Sequence, residues 1–389
     1  MNYLITLLIS TFIAYPSLVA ASDPNLALSK TTYQQLNAWN HNDPSQAFLA
    51  FQASCVEILK RDPQSFIHIK FQKIKTYQWQ RICRAASKMH PINPSSSRHF
   101  FETWFEPYQL AEMDTHHYQG LFTGYYLPLI QGRLHPNEQF HIPIYALPTN
   151  LLKINTASTS SSGKPLIRQR KNNMLIPYPI RTEINQGEIH QYAKVLAWSD
   201  NAIDVYFAQV QGSAMVELPN KKRFMIGYAG DNGHSYTSIG KLLIIKGEIT
   251  RENVSMQTIR NWLIRHPEQA NNLMNQNDSY VFFKRLNEAH PLGTEKIPLT
   301  PQHSLAIDNR YIPFGAPIWL DTTIPNYPHE KNLIPFQKLL IAQDTGGAIK
   351  GVVRGDIYWG AGKKAEFIAG RMNSSGESWI LLPRSDVKN

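Results

Sequence analysis

Asp344 and Asp356 flank a glycine-rich turn in the segment LIAQDTGGAIKGVVRGDIYWGAG, and Ile357, Tyr358 and Trp359 follow the second aspartate directly. Acid cleavage of a glycosidic bond needs such a grouping: a carboxyl near a second carboxylate, apolar surface that raises its pKa, and rings able to stack on sugars. Asp356 is the better acid candidate, because Tyr358 and Trp359 desolvate it and Asp344 adds a like charge, while Lys350 and Arg354 favour its anion. The bland alternative makes Asp356 a turn cap before the strand IYW. Gly346, Gly347 and Gly351 allow close approach of a ligand to the backbone, and they equally serve as turn residues in any β-rich fold.

Other groupings could join this pair. Thr123-Gly124-Tyr125-Tyr126 couples a tight turn to aromatics that could floor a saccharide groove. Gln211-Gly212-Ser213, read as following a strand, offers amide and hydroxyl groups suited to sugar hydroxyls and acetamides. Asp308-Asn309-Arg310-Tyr311 supplies a third acid candidate or, alternatively, an Asx-type turn with Asp308 paired to Arg310. Hydrophobic-hydrophobic-Asp-Thr-Gly is also the aspartic-protease pattern, but Leu320-Asp321-Thr322-Thr323 is a poor second copy. The 14 histidines show no HExxH or other ligand spacing and no GxSxG occurs, so neither a metal site, a cofactor nor acyl transfer is expected.

These residues need a scaffold. With 389 residues the chain predicts two domains, and 42% hydrophobic content predicts packed cores and excludes a disordered protein. The segment from Ser22 to about Tyr118 reads as helical. Asp43-Pro44-Ser45-Gln46 marks a helix start ahead of Phe48, Phe51, Cys55 and Ile58, and a second helix is predicted over Thr76 to Lys88. From Leu121 the texture becomes strand-like, in FTGYYLPLI, FHIPIYALP and IDVYFAQVQGSAMVEL. Asn155 to Asn173 reads as an exposed loop, helices return between Ser238 and Asn275, and the last hundred residues are again strand-like. The expected class is mainly β with α decoration, a barrel before a sandwich.

The formal charge of +10, from 39 basic and 29 acidic residues, suits an anionic polymer. No nucleic-acid motif accompanies it, so a nucleic-acid partner is not expected. Residues 1–21 read as a secretory signal with an apolar core from Leu4 to Tyr15 and small residues at Val19-Ala20-Ala21. An uncleaved anchor is the alternative. No cysteine ends this segment, so lipid attachment there is not expected. Cys55 and Cys83 both fall on apolar helix faces, which permits either a disulfide or two buried thiols.

The clusters, taken in order, resemble the membrane-bound lytic murein transglycosylase A family, from FTGYYLPLIQGR through QVQGSAMVEL, YAGDNGHSYTSIGKLLIIKGEI, SYVFFK and AIDNRYIPFGAPIWL to AQDTGGAIKGVVRGDIYWGAG and WILLP. The resemblance implies a double-psi β-barrel domain at 22–126 and 279–389, with N-terminal helices, a second β-rich domain inserted at 127–278, and a groove between them for glycan. It implies cleavage of the β-1,4 bond between N-acetylmuramic acid and N-acetylglucosamine without water, leaving 1,6-anhydromuramic acid ends. Asp356 would be the single acid and then base, supported by Asp344 and Asp308. Thr123, Gly124, Tyr125, Tyr126, Gln211, Gly212, Ser213, Lys350 and Tyr358 are the expected glycan contacts. A periplasmic monomer is implied, associated with the outer membrane and with cell-wall synthesis or division complexes. The rival readings are a glycan-binding wall protein without turnover and a secreted aspartic protease.

Overall fold

A computed structural model describes residues 26–69, 72–113, 118–154, 166–251, 253–287 and 291–384. The expected signal segment lies outside the described residues, as does 155–165 of the expected loop. The rest of that loop is a strand, Leu166–Lys171, paired in a hairpin with Met174–Pro177. Two asparagines at the turn, Asn172 and Asn173, adopt positive φ, the backbone that a tight hairpin requires.

The architecture is mainly β. Six strands close into a barrel: β1 (Gln119–Leu127), β2 (Ser304–Ile307), β3 (Pro317–Asn326), β4 (His329–Asp344), β5 (Arg354–Ala361) and β6 (Asn373–Pro383). Their order around the ring is β6-β3-β4-β2-β5-β1, and pairing of β1 with β6 closes it. Two parallel pairs, β2 with β4 and β5 with β1, interrupt the antiparallel ladder. This is the expected double-psi β-barrel. The closing seam leaves little room: Gly120 faces Gly376 across β1 and β6, and a Cβ on Gly120 would lie 1.6 Å from the carbonyl oxygen of Val353.

The second β-rich part is a six-stranded sheet in the order Val281–Leu286, Arg223–Asp231, Ser213–Glu217, Leu129–Arg133, Val195–Ser199, Ile142–Tyr145. Its core holds Ile130, Ile144, Val216, Ile226 and Phe283. Helices Ile239–Ile245, Met256–Arg265 and Pro267–Asn275 fall in the predicted stretch and pack around Leu243, Trp262, Leu263 and Leu273. One expectation fails here. Residues Ala202–Gln211 are a helix, not a strand, with the Asn201 side chain accepting from the backbone N–H groups of Ile203 and Asp204. Burial of Val205, Tyr206, Phe207, Ala208 and Gln209 in succession hides the helical period, so this apolar run could not be assigned by pattern.

The N-terminal helices Ser45–Ile58 and Thr76–Lys88 form as predicted, and Asp43 Oδ1 accepts the Ser45 N–H at 2.9 Å. The wholly helical reading of this segment is corrected, since it also holds strand Leu26–Lys30, a hairpin of Phe66–Ile69 with Gln72–Lys75, and strand Phe105–Glu112, which extends the barrel sheet beside β6. Phe48, Phe51, Trp79, Phe101 and Phe105 join Trp319 and Leu340 in one core, so the helices are built onto the barrel. Cys55 and Cys83 form a disulfide that ties the two helices together. Closing a segment with sequence separation 28 restricts the unfolded chain and is worth about 3–4 kcal/mol. Urea unfolding of the Cys55→Ala/Cys83→Ala variant should show a loss of that size; an unchanged midpoint would mean that the bond does not constrain the chain.

Candidate active site

Asp344 ends β4 and Asp356 lies near the start of β5, and both stand opposite Ala306 of the intervening β2. Two interstrand steps put their backbones about 10 Å apart. The loop between them is thus carried across the mouth of the barrel.

The two carboxyls have different surroundings. Asp344 is saturated: Oδ1 accepts from the Thr294 N–H at 3.0 Å, the Thr294 hydroxyl at 2.8 Å and the Thr345 N–H at 2.9 Å, while Oδ2 accepts from the Tyr125 hydroxyl at 2.9 Å. Burial pushes its pKa above the ordinary carboxylate value, and these four donors limit the rise without reversing it. Both its oxygens are already engaged by protein donors. Half-buried Asp356 accepts one side-chain hydrogen bond, from Thr123 Oγ1 to Oδ1 at 2.7 Å. Burial raises its pKa above the ordinary carboxylate value, Asp344 raises it further, and Arg354 and Thr123 oppose the rise. Of the two, Asp356 is the one with fewer protein donors on its oxygens.

Asp308 is buried, Arg310 Nε and Nη2 bind its oxygens at 3.0 and 2.7 Å, and the Gly351 N–H donates at 2.9 Å. Burial alone would raise its pKa, but the hydrogen bonds and charge of Arg310, with backbone donors, hold it low. The turn reading of this motif is the one the structure shows. Asp308 anchors the loop that joins β4 to β5 through Gly351. On the other side, Gln343, fully buried beside Asp344, donates to Ala50 O and to Ser54 Oγ, both at 2.9 Å. The N-terminal helix therefore buttresses the end of β4, a contact spanning nearly the whole chain that no local pattern announces.

The structure redistributes the other expected contacts. Tyr125, Tyr126 and Tyr358 are buried and cannot floor an open groove, because strands of a closed barrel covered by a helix pack on both faces. Tyr125 packs on Tyr358 with ring centroids 5.3 Å apart and orients Asp344. Trp359 is also buried, packed on Phe336 and flush with Gly124, where a Cβ would sit 2.5 Å from the indole nitrogen. Gly124 is thus first a packing requirement. Gln211 ends a helix, and its Oε1 accepts the Tyr126 N–H at 2.9 Å. Gly212 takes the left-handed φ of 75° that closes the helix, and Ser213 is buried. Lys350 is exposed on the loop.

A cavity of about 230 Å³ opens beside Thr123, between the barrel and the helices of the second part. Thr123, Gly124, Gln211, Tyr236, Ser238 and Asn373 are among its lining residues. Thr294 and Tyr236 were not anticipated: Thr294 comes from a stretch with no distinctive spacing, and Tyr236 lies within the YAGDNGHSYTSIGKLLIIKGEI segment but was not singled out there. Asp321 contributes to neither aspartate, since Asn37 and Gln337 hold its oxygens at 3.1 and 2.9 Å. Among the described residues no second aspartate takes the place of a dyad partner within the chain, since the oxygens of Asp344 are held by Thr294, Thr345 and Tyr125.

Fold and site together define a double-psi β-barrel protein with an inserted β-rich part, whose cavity is lined by Thr123, the hydrogen-bond partner of Asp356. The chain belongs to the membrane-bound lytic murein transglycosylase A family. Residues 121–284 match the family described as the MltA specific insert domain, and residues 303–382 match the 3D domain. Membrane-bound lytic murein transglycosylase A of Escherichia coli K12 is 35% identical over 262 residues, 67% of this chain. The chain spans 65% of that protein's length. Among solved structures, a membrane-bound lytic murein transglycosylase from Agrobacterium tumefaciens superposes with TM-score 0.80 at 29% identity, covering 92% of this chain and 98% of that one. The lytic transglycosylase LtgG of Burkholderia pseudomallei is 32% identical with TM-score 0.58, over 94% and 99% of the two chains. Escherichia coli MltA with bound chitohexaose is 27% identical with TM-score 0.60, over 93% and 92%.

Proposed function

We propose that this protein is a lytic transglycosylase of peptidoglycan, cleaving the β-1,4 bond between N-acetylmuramic acid and N-acetylglucosamine. The observation that carries the reading is the inequality of the carboxyls. Ordinary glycosidases divide the work between an acid and a second carboxylate that acts as base or nucleophile. Here Asp344 has four donors on its two oxygens and Asp308 is ion-paired, which leaves Asp356, of the three candidate aspartates, the one held by a residue of the cavity lining. One carboxyl suffices when the sugar supplies its own nucleophile. Asp356 protonates the leaving glycosidic oxygen as the bond from C1 breaks. The resulting anion then takes the proton of the muramic acid C6 hydroxyl as that oxygen bonds to C1. Acid is regenerated, water is not consumed, and the product carries a 1,6-anhydro ring.

Membership of the family supports this reading, as does the chitohexaose bound by the Escherichia coli protein, a β-1,4-linked glycan. The division into a barrel unit at 22–126 and 279–389 and an insert at 127–278 is part of the proposal, with glycan lying in the groove. So are the contacts from Thr123, Gln211 and Lys350, a supporting role for Asp344 and Asp308, action as a monomer, and a place in the periplasm at the outer membrane. No helix among the described residues is long and apolar enough to cross a membrane.

Purified sacculi incubated with the protein and analysed by mass spectrometry should release anhydromuropeptides. Hydrated reducing ends would instead indicate a hydrolase, and binding without release would favour a glycan-binding wall protein.

A further inference from the structure

We infer that Arg354 is a positioning residue for the acid: through the Thr123 hydroxyl it fixes Asp356 Oδ2 as the oxygen that gives up and recovers the proton. This rests on the lytic reaction proposed above and deepens it to the level of single atoms. Arg354 and Asp356 are two residues apart on β5, hence on one face, and parallel pairing sets Asp356 opposite Thr123. Arg354 Nη2 donates to Thr123 Oγ1 at 2.9 Å, and Thr123 Oγ1 donates to Asp356 Oδ1 at 2.7 Å. Arg354 Nη1 also reaches the carbonyls of Gly355 and of Leu121, so the guanidinium is held by both strands.

In the Asp356 anion the polarity of this relay is forced. A guanidinium can only donate, so Thr123 accepts from it, and the carboxylate can only accept, so the hydroxyl proton of Thr123 goes to Oδ1. With Oδ1 so engaged, the proton recovered from the C6 hydroxyl lands on Oδ2, and Oδ2 is the oxygen that next passes it to a glycosidic oxygen, with no net gain or loss. The same protein contains the contrasting arrangement. Arg310 grips Asp308 directly, which holds that carboxylate ionised. Interposing a hydroxyl keeps the cation close enough to steady the anion once formed, without preventing protonation.

The test compares Thr123→Val, Arg354→Met and the double variant with wild type in release of anhydromuropeptides from sacculi across pH. Each single change should lower kcat roughly tenfold or more, with KM holding in Arg354→Met, and Thr123→Ser, which keeps the hydroxyl, should recover most of the loss of Thr123→Val. Both single changes remove a group that favours the Asp356 anion, so the alkaline limb of the profile should move to higher pH. The double variant should be no worse than the poorer single one, because both break one relay. Should Arg354→Met unfold, Arg354→Gln, which removes the charge, with and without Thr123→Val gives the same comparison of the alkaline limb. Additive losses, or an alkaline limb that stays in place, would overturn the inference even in an active enzyme. No anhydro product from wild type would instead defeat the lytic reading, and this inference with it.

Discussion

Asp356→Asn should abolish release of anhydromuropeptides, by at least about a thousandfold, and leave sacculus binding intact. Acid–base catalysis by a positioned group contributes about 10²–10⁴-fold, and here a single group performs both transfers. The amide can neither give a proton to the leaving oxygen nor take one from the C6 hydroxyl. Its carbonyl can still accept from Thr123, as Oδ1 does at 2.7 Å, so the strand and the cleft stay in place. Activity and affinity should therefore separate, the first measured by mass spectrometry of products and the second by pulldown with sacculi. Full activity in this variant would show that another group is the acid, even within the same family.

Asp344 should respond very differently to two substitutions. In Asp344→Ala, the Thr294 N–H and hydroxyl, the Thr345 N–H and the Tyr125 hydroxyl lose their acceptor together. The Thr294 donors are exposed and can turn to water, while the part-buried Thr345 N–H and Tyr125 hydroxyl are left short of an acceptor, so this variant should unfold at lower urea, by about 1–3 kcal/mol, and lose activity with its loop. Asp344→Asn keeps a carbonyl for the three donors on Oδ1 and turns an amide toward Tyr125, whose hydroxyl can reverse its role. It should fold. What it removes is the negative charge that raises the pKa of Asp356. A lowered pKa means that the acid loses its proton earlier, so the alkaline limb of the pH–rate profile moves to lower pH. That is opposite in sign to the shift expected for Arg354→Met. The same direction in both variants would show that Asp344 does not act on Asp356 by charge.

Much of this was legible in the sequence. Asp356 was identified as the acid candidate from its neighbours, because residues adjacent in a strand are also adjacent in space. The helix starting at Ser45 was marked by Asp43, and the helix from Thr76 to Lys88 by its apolar face. Local reading failed where burial was two-sided. Ala202–Gln211 is buried on several faces and carried no helical stripe, so Gln211 was read as following a strand when it is the last residue of a helix and accepts from the Tyr126 N–H. Tyr125, Tyr126, Tyr358 and Trp359 looked like a sugar platform, since an aromatic cluster in a sequence does not say which side of a barrel wall it faces.

The sequence by itself determined the carboxylates, their glycine-rich spacer, the family and the chemistry expected of it, because residue type and short-range spacing are properties of the chain alone. Only the tertiary structure decided what surrounds each carboxylate. Asp344 and Asp356 are aspartates near the same loop, and their difference arises from groups remote in sequence: Thr294 and Tyr125 on one, Thr123 and Arg354 by the other. A proton's residence is set by the donors and charges within a few ångströms, and barrel closure selects those neighbours.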